Sequence, residues 1–402
     1  HDALPIWVSI KKAIARIRNK SDYYDYNLLA VVILLTCFGL VMLYSTSAYM
    51  AELEFEGNDM YYFAKQAIIS GICIVIAICI SFVDYHILYR LSGLILVAAI
   101  VLMALVQSPL GVTVYGARRW LNLGIQFQPS EVAKIAAIVY VPVMIVKMGK
   151  KYRGVAPCIP PLVIGAILFF CAYEFTDNLS TAIIIFGIVC IIVFVAHPRT
   201  LPFLLLILGG VVIIGVGIYF LSNMTETSGS FRLRRILVWL DPEKYSDDGG
   251  YQILQALYAL GSGGFFGKGL GNSTQKLGPL PEAQNDMIFS IICEELGIFG
   301  AAIVLLLFGY LIYRLFFIAQ NAPDLFGSLM VVGIMGHISM QVIFNICVVI
   351  NLIPTTGITL PFVSYGGTSI LFLMLEMALA LSVSRQIRFK DDEKDLWGEV
   401  VE

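Results

Sequence analysis

Residues 179–196 read LSTAIIIFGIVCIIVFVA, a run with no charged side chain and with Ser180 and Thr181 as its only hydroxyls. Apolar residues follow one another without the alternation that a barrel strand needs. The run has the length of a helix that crosses a hydrocarbon core, about 17–25 residues. Reading outward in both directions, further stretches of this kind lie at residues 27–46, 62–82, 87–107, 131–147, 159–175, 201–222, 286–314, 325–352 and 367–385. The pattern predicts an all-α polytopic membrane protein with about ten transmembrane helices.

Composition says the same. Of 402 residues, 59% are hydrophobic and 13% charged, where a soluble domain carries about 25% charged. Mean hydropathy is +0.85. A soluble fold of this length leaves too much surface in water to hide so many apolar side chains. A soluble enzyme and a disordered chain are therefore excluded. A net charge of -2 offers no field for a polyanion, so no nucleic-acid partner is expected. The eight cysteines lie in or beside apolar runs without CxxC pairs, which predicts free buried thiols. The first 26 residues are polar and basic, and no cleavable signal peptide is expected there.

Basic residues orient the bundle. Lys11, Lys12, Arg16, Arg18 and Lys20 precede the first span, Lys147, Lys150, Lys151 and Arg153 follow the fourth, and Arg385, Arg388 and Lys390 follow the last. Both termini are thus expected in the cytoplasm. The expected organisation is a tail over 1–26, a membrane domain over 27–386 and a tail over 387–402. One large outer loop, 223–285, interrupts the membrane domain. Arg118 and Arg119 fall outside, against the trend.

The large loop carries signs of order. Tyr251–Leu260 (YQILQALYAL) has the pattern of an amphipathic helix, and GSGGFFGKGLG at 261–271 supplies tight turns. The glycine run does not meet the spacing of a phosphate-binding loop, because Gly267-Lys268 is followed by Gly269. There is no HExxH, no zinc-type Cys/His cluster and no GxSxG, and four histidines make a histidine-based triad implausible.

Ionisable groups inside spans cost about 2.5–3.5 kcal/mol each on insertion scales, so each needs a reason. Glu131 and Lys134 stand at i and i+3 and can pair. They form either a structural ion pair or a polar cavity lining. Asp286 opens the eighth span, followed by Glu294 and Glu295. It is either a first-turn acid stabilised by the helix dipole or a general base at the outer surface. Glu294 lies about 12 Å deeper along the helix, as either a buried hydrogen-bond partner or a protonated acid. His337, Gln341 and Asn345 make one polar stripe suited to interhelical hydrogen bonds. Residues 353–367 (IPTTGITLPFVSYGG) carry no charge and are too broken to span. They read as a re-entrant or cavity-lining loop. These features fit a transporter with a broken-helix site and a membrane enzyme acting on a lipid-linked substrate equally well.

Four blocks carry a resemblance. They are Ala117-Arg118-Arg119-Trp120-Leu121 with Gln128-Pro129-Ser130-Glu131 and Lys134; Phe231-Arg232-Leu233-Arg234-Arg235 with Leu240-Asp241-Pro242; Leu280-Pro281-Glu282 through Asp286 to Glu294-Glu295-Leu296-Gly297; and Pro354 to Gly367. Together they resemble the SEDS family of ten-helix peptidoglycan polymerases. Asn178-Leu179-Ser180-Thr181-Ala182 is similar to the form seen in the family's division branch, with elongation and sporulation paralogues as neighbours. Asp177, Asn285 and Asn351 depart from the usual proline, threonine and glycine.

The resemblance implies polymerisation of lipid II into glycan strands, by inverting displacement of undecaprenyl diphosphate, in the bacterial inner membrane at the division septum. It implies a class B penicillin-binding protein and other divisome membrane proteins as partners. It implies Asp286 as the catalytic base. Arg118, Arg119, Arg235, Lys268, Lys276 and Glu282 are the candidates around the substrate diphosphate, with Mg2+ or Mn2+ as an optional cation. Glu131, Lys134, Glu294, Ser364 and Tyr365 are assigned to the shape of the cavity. A lipid II flippase and a non-catalytic division scaffold are the rival functions.

Overall fold

The computed structural model describes residues 23–114, 117–122, 124, 126–152, 154, 156–198, 231–246 and 249–388. The expected seventh span, 201–222, lies outside the described residues, as do most of both tails. Among the described residues, nine helices are long and apolar enough to cross a membrane. In chain order the helices are α1 (Tyr26–Glu54), α2 (Tyr61–Ser81), α3 (His86–Leu105), α4 (Pro129–Met148), α5 (Ile159–Phe175), α6 (Leu179–Ala196), α7 (Phe231–Leu240), α8 (Gly250–Gly263), α9 (Ile288–Asn321), α10 (Leu325–Val349) and α11 (Gly367–Ser384).

Local chemistry sets several starts. Asp25, Asn178 and Asp324 cap α1, α6 and α10 by accepting from Leu28, Thr181 and Gly327 N–H groups. Pro129 opens α4, where its missing N–H costs nothing. Burial then sorts the helices. The most apolar stretch of α11 is 72% buried and those of α4 and α10 are 61%, against 22% for α2 and α3. The first three form the centre of the bundle, and α2 and α3 turn most of their surface outward.

Three features were not anticipated. Three short strands, β1 (Gly111–Val114), β2 (Ala117–Asn122) and β3 (Gln126–Phe127), form a small antiparallel sheet in the order β1-β2-β3. A bulge falls between Val112 and Thr113. A short meander inside a loop gives no long alternating signal, and the apolar runs on either side mask it. The large loop also holds a second helix, α7, besides the expected α8. Finally, α9 starts at Ile288 and contains a break at Gly297 (φ 67°, ψ -167°). Asp286 therefore precedes the helix, and Met287 occupies the cap position with no side-chain cap bond.

Candidate active site

The uncharged segment between α10 and α11 is the hub of the site. Each neighbouring element donates to its backbone. Gln341 Nε2 of α10 donates to the Thr359 carbonyl at 3.1 Å, and Asn345 Nδ2 to that of Ile358 at 2.8 Å. Ser180 Oγ of α6 reaches Thr356 O at 2.9 Å. From α7, Arg235 Nη1 reaches Thr355 O at 3.3 Å and Trp239 Nε1 reaches Asn351 O at 3.0 Å. The segment is broken backbone inside a helical bundle, and these donors satisfy carbonyls that lipid could not. Ser364 Oγ accepts from the Leu360 N–H at 2.8 Å and closes its final turn. Tyr365 N donates to Gln284 O at 2.9 Å and its ring packs edge-on against Tyr62. Gly39 on α1 lets the segment approach, since a Cβ there would lie 2.6 Å from Val363 Cα.

Asp286 is fastened to this hub through its main chain. Asn345 Nδ2 donates to the Asp286 carbonyl at 2.7 Å while also holding Ile358. The carboxylate itself is left available. Its Oδ1 is sealed from solvent with no hydrogen-bond partner among the described residues. Burial pushes this carboxyl up to about 7, and the nearby Glu282 carboxylate adds to the rise. The Asp286 main-chain N–H and the Arg235 guanidinium oppose it. Glu282 takes a left-handed backbone (φ 56°), a conformation that costs an ordinary residue energy and that gathers at functional sites. Its side chain accepts from Asn285 Nδ2.

Two arginines meet here. Burial lowers the pKa of both Arg119 and Arg235, and Arg235 lowers that of Arg119 further by like-charge repulsion. Arg119 Nη2 donates to Asp177 O at 3.2 Å, and its Nε is sealed with no partner among the described residues. Guanidinium groups stay protonated; the Asp286 carboxylate faces Arg235, and Asp177 faces Arg119.

The other candidates are placed elsewhere. Side chains alternate along a strand, so Arg118 points away from Arg119. Its Nη2 donates to Ser108 O at 2.5 Å and Gly111 O at 3.4 Å, bracing the end of α3. Lys268 pairs with Glu294 at 2.6 Å and Lys276 with Glu295 at 2.7 Å, both acids fully buried. These three cations, expected at the diphosphate, hold other parts of the fold and are not among the charges that act on Asp286, though Arg118 Nε, like that of Arg119, is sealed with no partner among the described residues. Glu294 also accepts from Ser262, Ser273 and Thr274. Glu131 and Lys134 pair at 2.8 Å inside α4.

Some polar positions were overlooked in the sequence. Glu376 of α11 binds His337 Nδ1 at 2.8 Å, with both residues buried. A lone acid within an apolar run was the available signal. The role of Trp239 had no signal, because a carbonyl partner leaves no mark in sequence.

The FtsW/RodA/SpoVE model, described as "Cell cycle protein", matches residues 25–389. The chain is 38% identical to "Stage V sporulation protein E" of Bacillus subtilis, over 91% of this chain and 98% of that protein. It is 37% identical to "Probable peptidoglycan glycosyltransferase FtsW" of Trichlorobacter lovleyi, over 91% and 94% of the two chains. Among solved structures, it resembles a chain from "Structural coordination of polymerization and crosslinking by a peptidoglycan synthase complex". That match has TM-score 0.72 and 26% identity, covering 90% and 98% of the chains. It also resembles Thermus thermophilus rod shape determining protein RodA, with TM-score 0.64 and 26% identity over 91% and 98%. With its multi-pass helical architecture and its four motif blocks, the chain belongs to the FtsW/RodA/SpoVE family, the SEDS family that its motifs resemble.

Proposed function

We propose that this chain polymerises lipid II at the division septum, with Asp286 as general base. As a member of its family it is a peptidoglycan glycosyltransferase of the membrane. The observation that carries the catalytic assignment is the Asp286 carboxyl. Its main chain is fixed by Asn345, its Oδ1 has no partner among the described residues, and its pKa is raised to about 7 by burial and Glu282 with the half-buried Arg235 nearby.

A general base works best when its pKa lies near the operating pH. The acceptor's GlcNAc 4-hydroxyl attacks the anomeric carbon of the donor as Asp286 takes its proton. Undecaprenyl diphosphate departs, and the α linkage becomes β in one displacement. Arg235 and Arg119 receive the charge that develops on the diphosphate. Mg2+ or Mn2+, if bound, would be held by Glu282 and the substrate diphosphate, since such ions take one or two carboxylates and complete their shell with phosphate and water, and Asp286 would stay free to take the proton. When bound, the ion supplies further charge neutralisation to the leaving group. Among the described residues no group of three His, Cys, Asp or Glu gathers for a metal, so such binding would depend on the diphosphate.

The partner is a class B penicillin-binding protein that cross-links the product, in company with other divisome membrane proteins. The similarity to a chain of a peptidoglycan synthase complex supports this. A sporulation septum is the second reading, supported by 38% identity to stage V sporulation protein E. Polymerisation of purified lipid II by the reconstituted chain, with and without the penicillin-binding protein, tests the activity. Asp286→Asn keeps shape but cannot accept the proton, and it is expected to abolish glycan strands. Wild-type polymer from that variant would remove Asp286 from the mechanism.

A further inference from the structure

We propose that residues 263–271 form a wedge set into the edge of the bilayer, with Phe265 and Phe266 against lipid acyl chains. The break in α9 locates it. Beyond Gly297, the segment Ile298–Asn321 is about 36 Å long at 1.5 Å per residue, enough alone to cross a core of about 30 Å. The break therefore falls at the membrane boundary, on the same end of α9 as Asp286.

The loop crosses the helix at that break. Gly264 O and Phe265 O accept from the N–H groups of Ile298 and Phe299, both at 3.1 Å. In return Lys268 N and Gly269 N donate to Glu294 O and Glu295 O, both at 2.9 Å. The backbone groups freed by the break are thus repaired by the loop, which is the condition for irregular backbone at membrane depth. A Cβ on Gly297 would sit 2.4 Å from Gly267 N, and one on Gly267 would sit 2.1 Å from Glu295 O. The glycine run serves this crossing.

The hydrogen bonds put Phe265 level with Phe299, a residue of the spanning helix. Phe265, Phe266, Leu270, Ile298 and Phe299 are 59%, 78%, 54%, 63% and 54% exposed. The rings of Phe265 and Phe266 pack edge-on at 4.8 Å. The backbone bonds set Gly264 and Phe265 against Ile298 and Phe299 of α9, an exposed apolar group too large to leave in water without a role. Charge does not oppose insertion. Lys268 is the one ionisable residue between 263 and 271, and Glu294 neutralises it at 2.6 Å. Aromatic side chains favour the level where chains meet headgroups.

The test uses the whole chain in vesicles of phosphatidylcholine and phosphatidylglycerol. Phe266→Trp replaces an exposed ring by a larger one, and subtracting the wild-type spectrum removes the four native tryptophans. The added emission is expected to be blue-shifted, to fall at least twofold when the acyl chains carry bromine, and to resist acrylamide in the water. Emission like that of free tryptophan, quenched by acrylamide and blind to bromine, would overturn the wedge. So would a blue shift that arises only when the penicillin-binding protein is added, since the face would then dock protein.

Discussion

Asp286 and Asn345 divide one task. Asn345 fixes where the carboxylate stands, and burial with Glu282 fixes when it can accept a proton. Because the Asp286 pKa is raised to about 7, the base is mostly protonated below that pH. The kcat/KM for lipid II is expected to climb about tenfold per pH unit on the acid side and level off above neutrality. Glu282→Gln removes a like charge, so its acid limb should move to lower pH in the same rate-against-pH series. A limb that stays in place would mean that Glu282 does not act on Asp286. Asn345→Asp keeps the shape but replaces the donor with an acceptor facing two carbonyl oxygens, Asp286 O and Ile358 O. Losing a buried hydrogen bond costs about 1–3 kcal/mol. The variant should lower kcat about ten- to hundredfold with little change in KM, and a purely structural role would instead lower the amount of folded protein at unchanged kcat.

At the scale of elements, the first turns of α9 act as an anchor. Glu294 and Glu295 point into the 262–276 loop and bind it with side chain and main chain alike. Lys276 is 6% exposed and Glu295 not at all. Removing one member of such a pair strands a buried charge at about 3–5 kcal/mol, whereas removing both costs far less. Lys276→Met should therefore lower the melting temperature in detergent sharply, and Lys276→Met with Glu295→Gln should recover much of the loss. Equal melting of the two variants would show that no stranded charge is involved. The same element shows where the sequence was legible. Continuous apolar runs announced nearly every described span, and the spacing of Glu131 and Lys134 announced their pair. The acids at 294 and 295 were visible as exceptions to lipid logic. Their partners were not, because Lys268 and Lys276 meet them only through the break at Gly297, a tertiary crossing. The two arginines at 118 and 119 look equivalent in one dimension. Strand alternation, hidden in a sheet too short to announce itself, sends one to brace α3 and the other toward Arg235.

Across the whole molecule, the proposed catalytic carboxylate lies at one end of α9 and a second ion-pair clamp at the other. Asp286 immediately precedes the helix. Arg314 lies near its far end, about 40 Å away along the axis if the break is neglected. There Arg314 Nη2 reaches Asp25 Oδ2 at 2.6 Å and Tyr23 Oη at 2.7 Å, and the Asp25 N–H donates to Ser384 Oγ at 3.3 Å. One acid thus caps α1, pairs with α9 and touches the end of α11. The arrangement ties α1, α9 and α11 at the end away from the site, while the segment around Asp286 is held by hydrogen bonds to main-chain carbonyls, with the Glu294 and Glu295 ion pairs about two to three turns further along α9. A bundle fastened this way can admit a bulky lipid-linked substrate at one end without loosening the other. Asp25→Asn leaves Arg314 buried with its charge unmatched, a cost of about 3–5 kcal/mol. The melting temperature should drop clearly, while kcat per folded molecule and its dependence on pH stay as in the unaltered chain, because no charge near Asp286 has changed. A shift of the acid limb in Asp25→Asn would mean that the two ends communicate through α9 and that the far clamp belongs to the catalytic machinery after all.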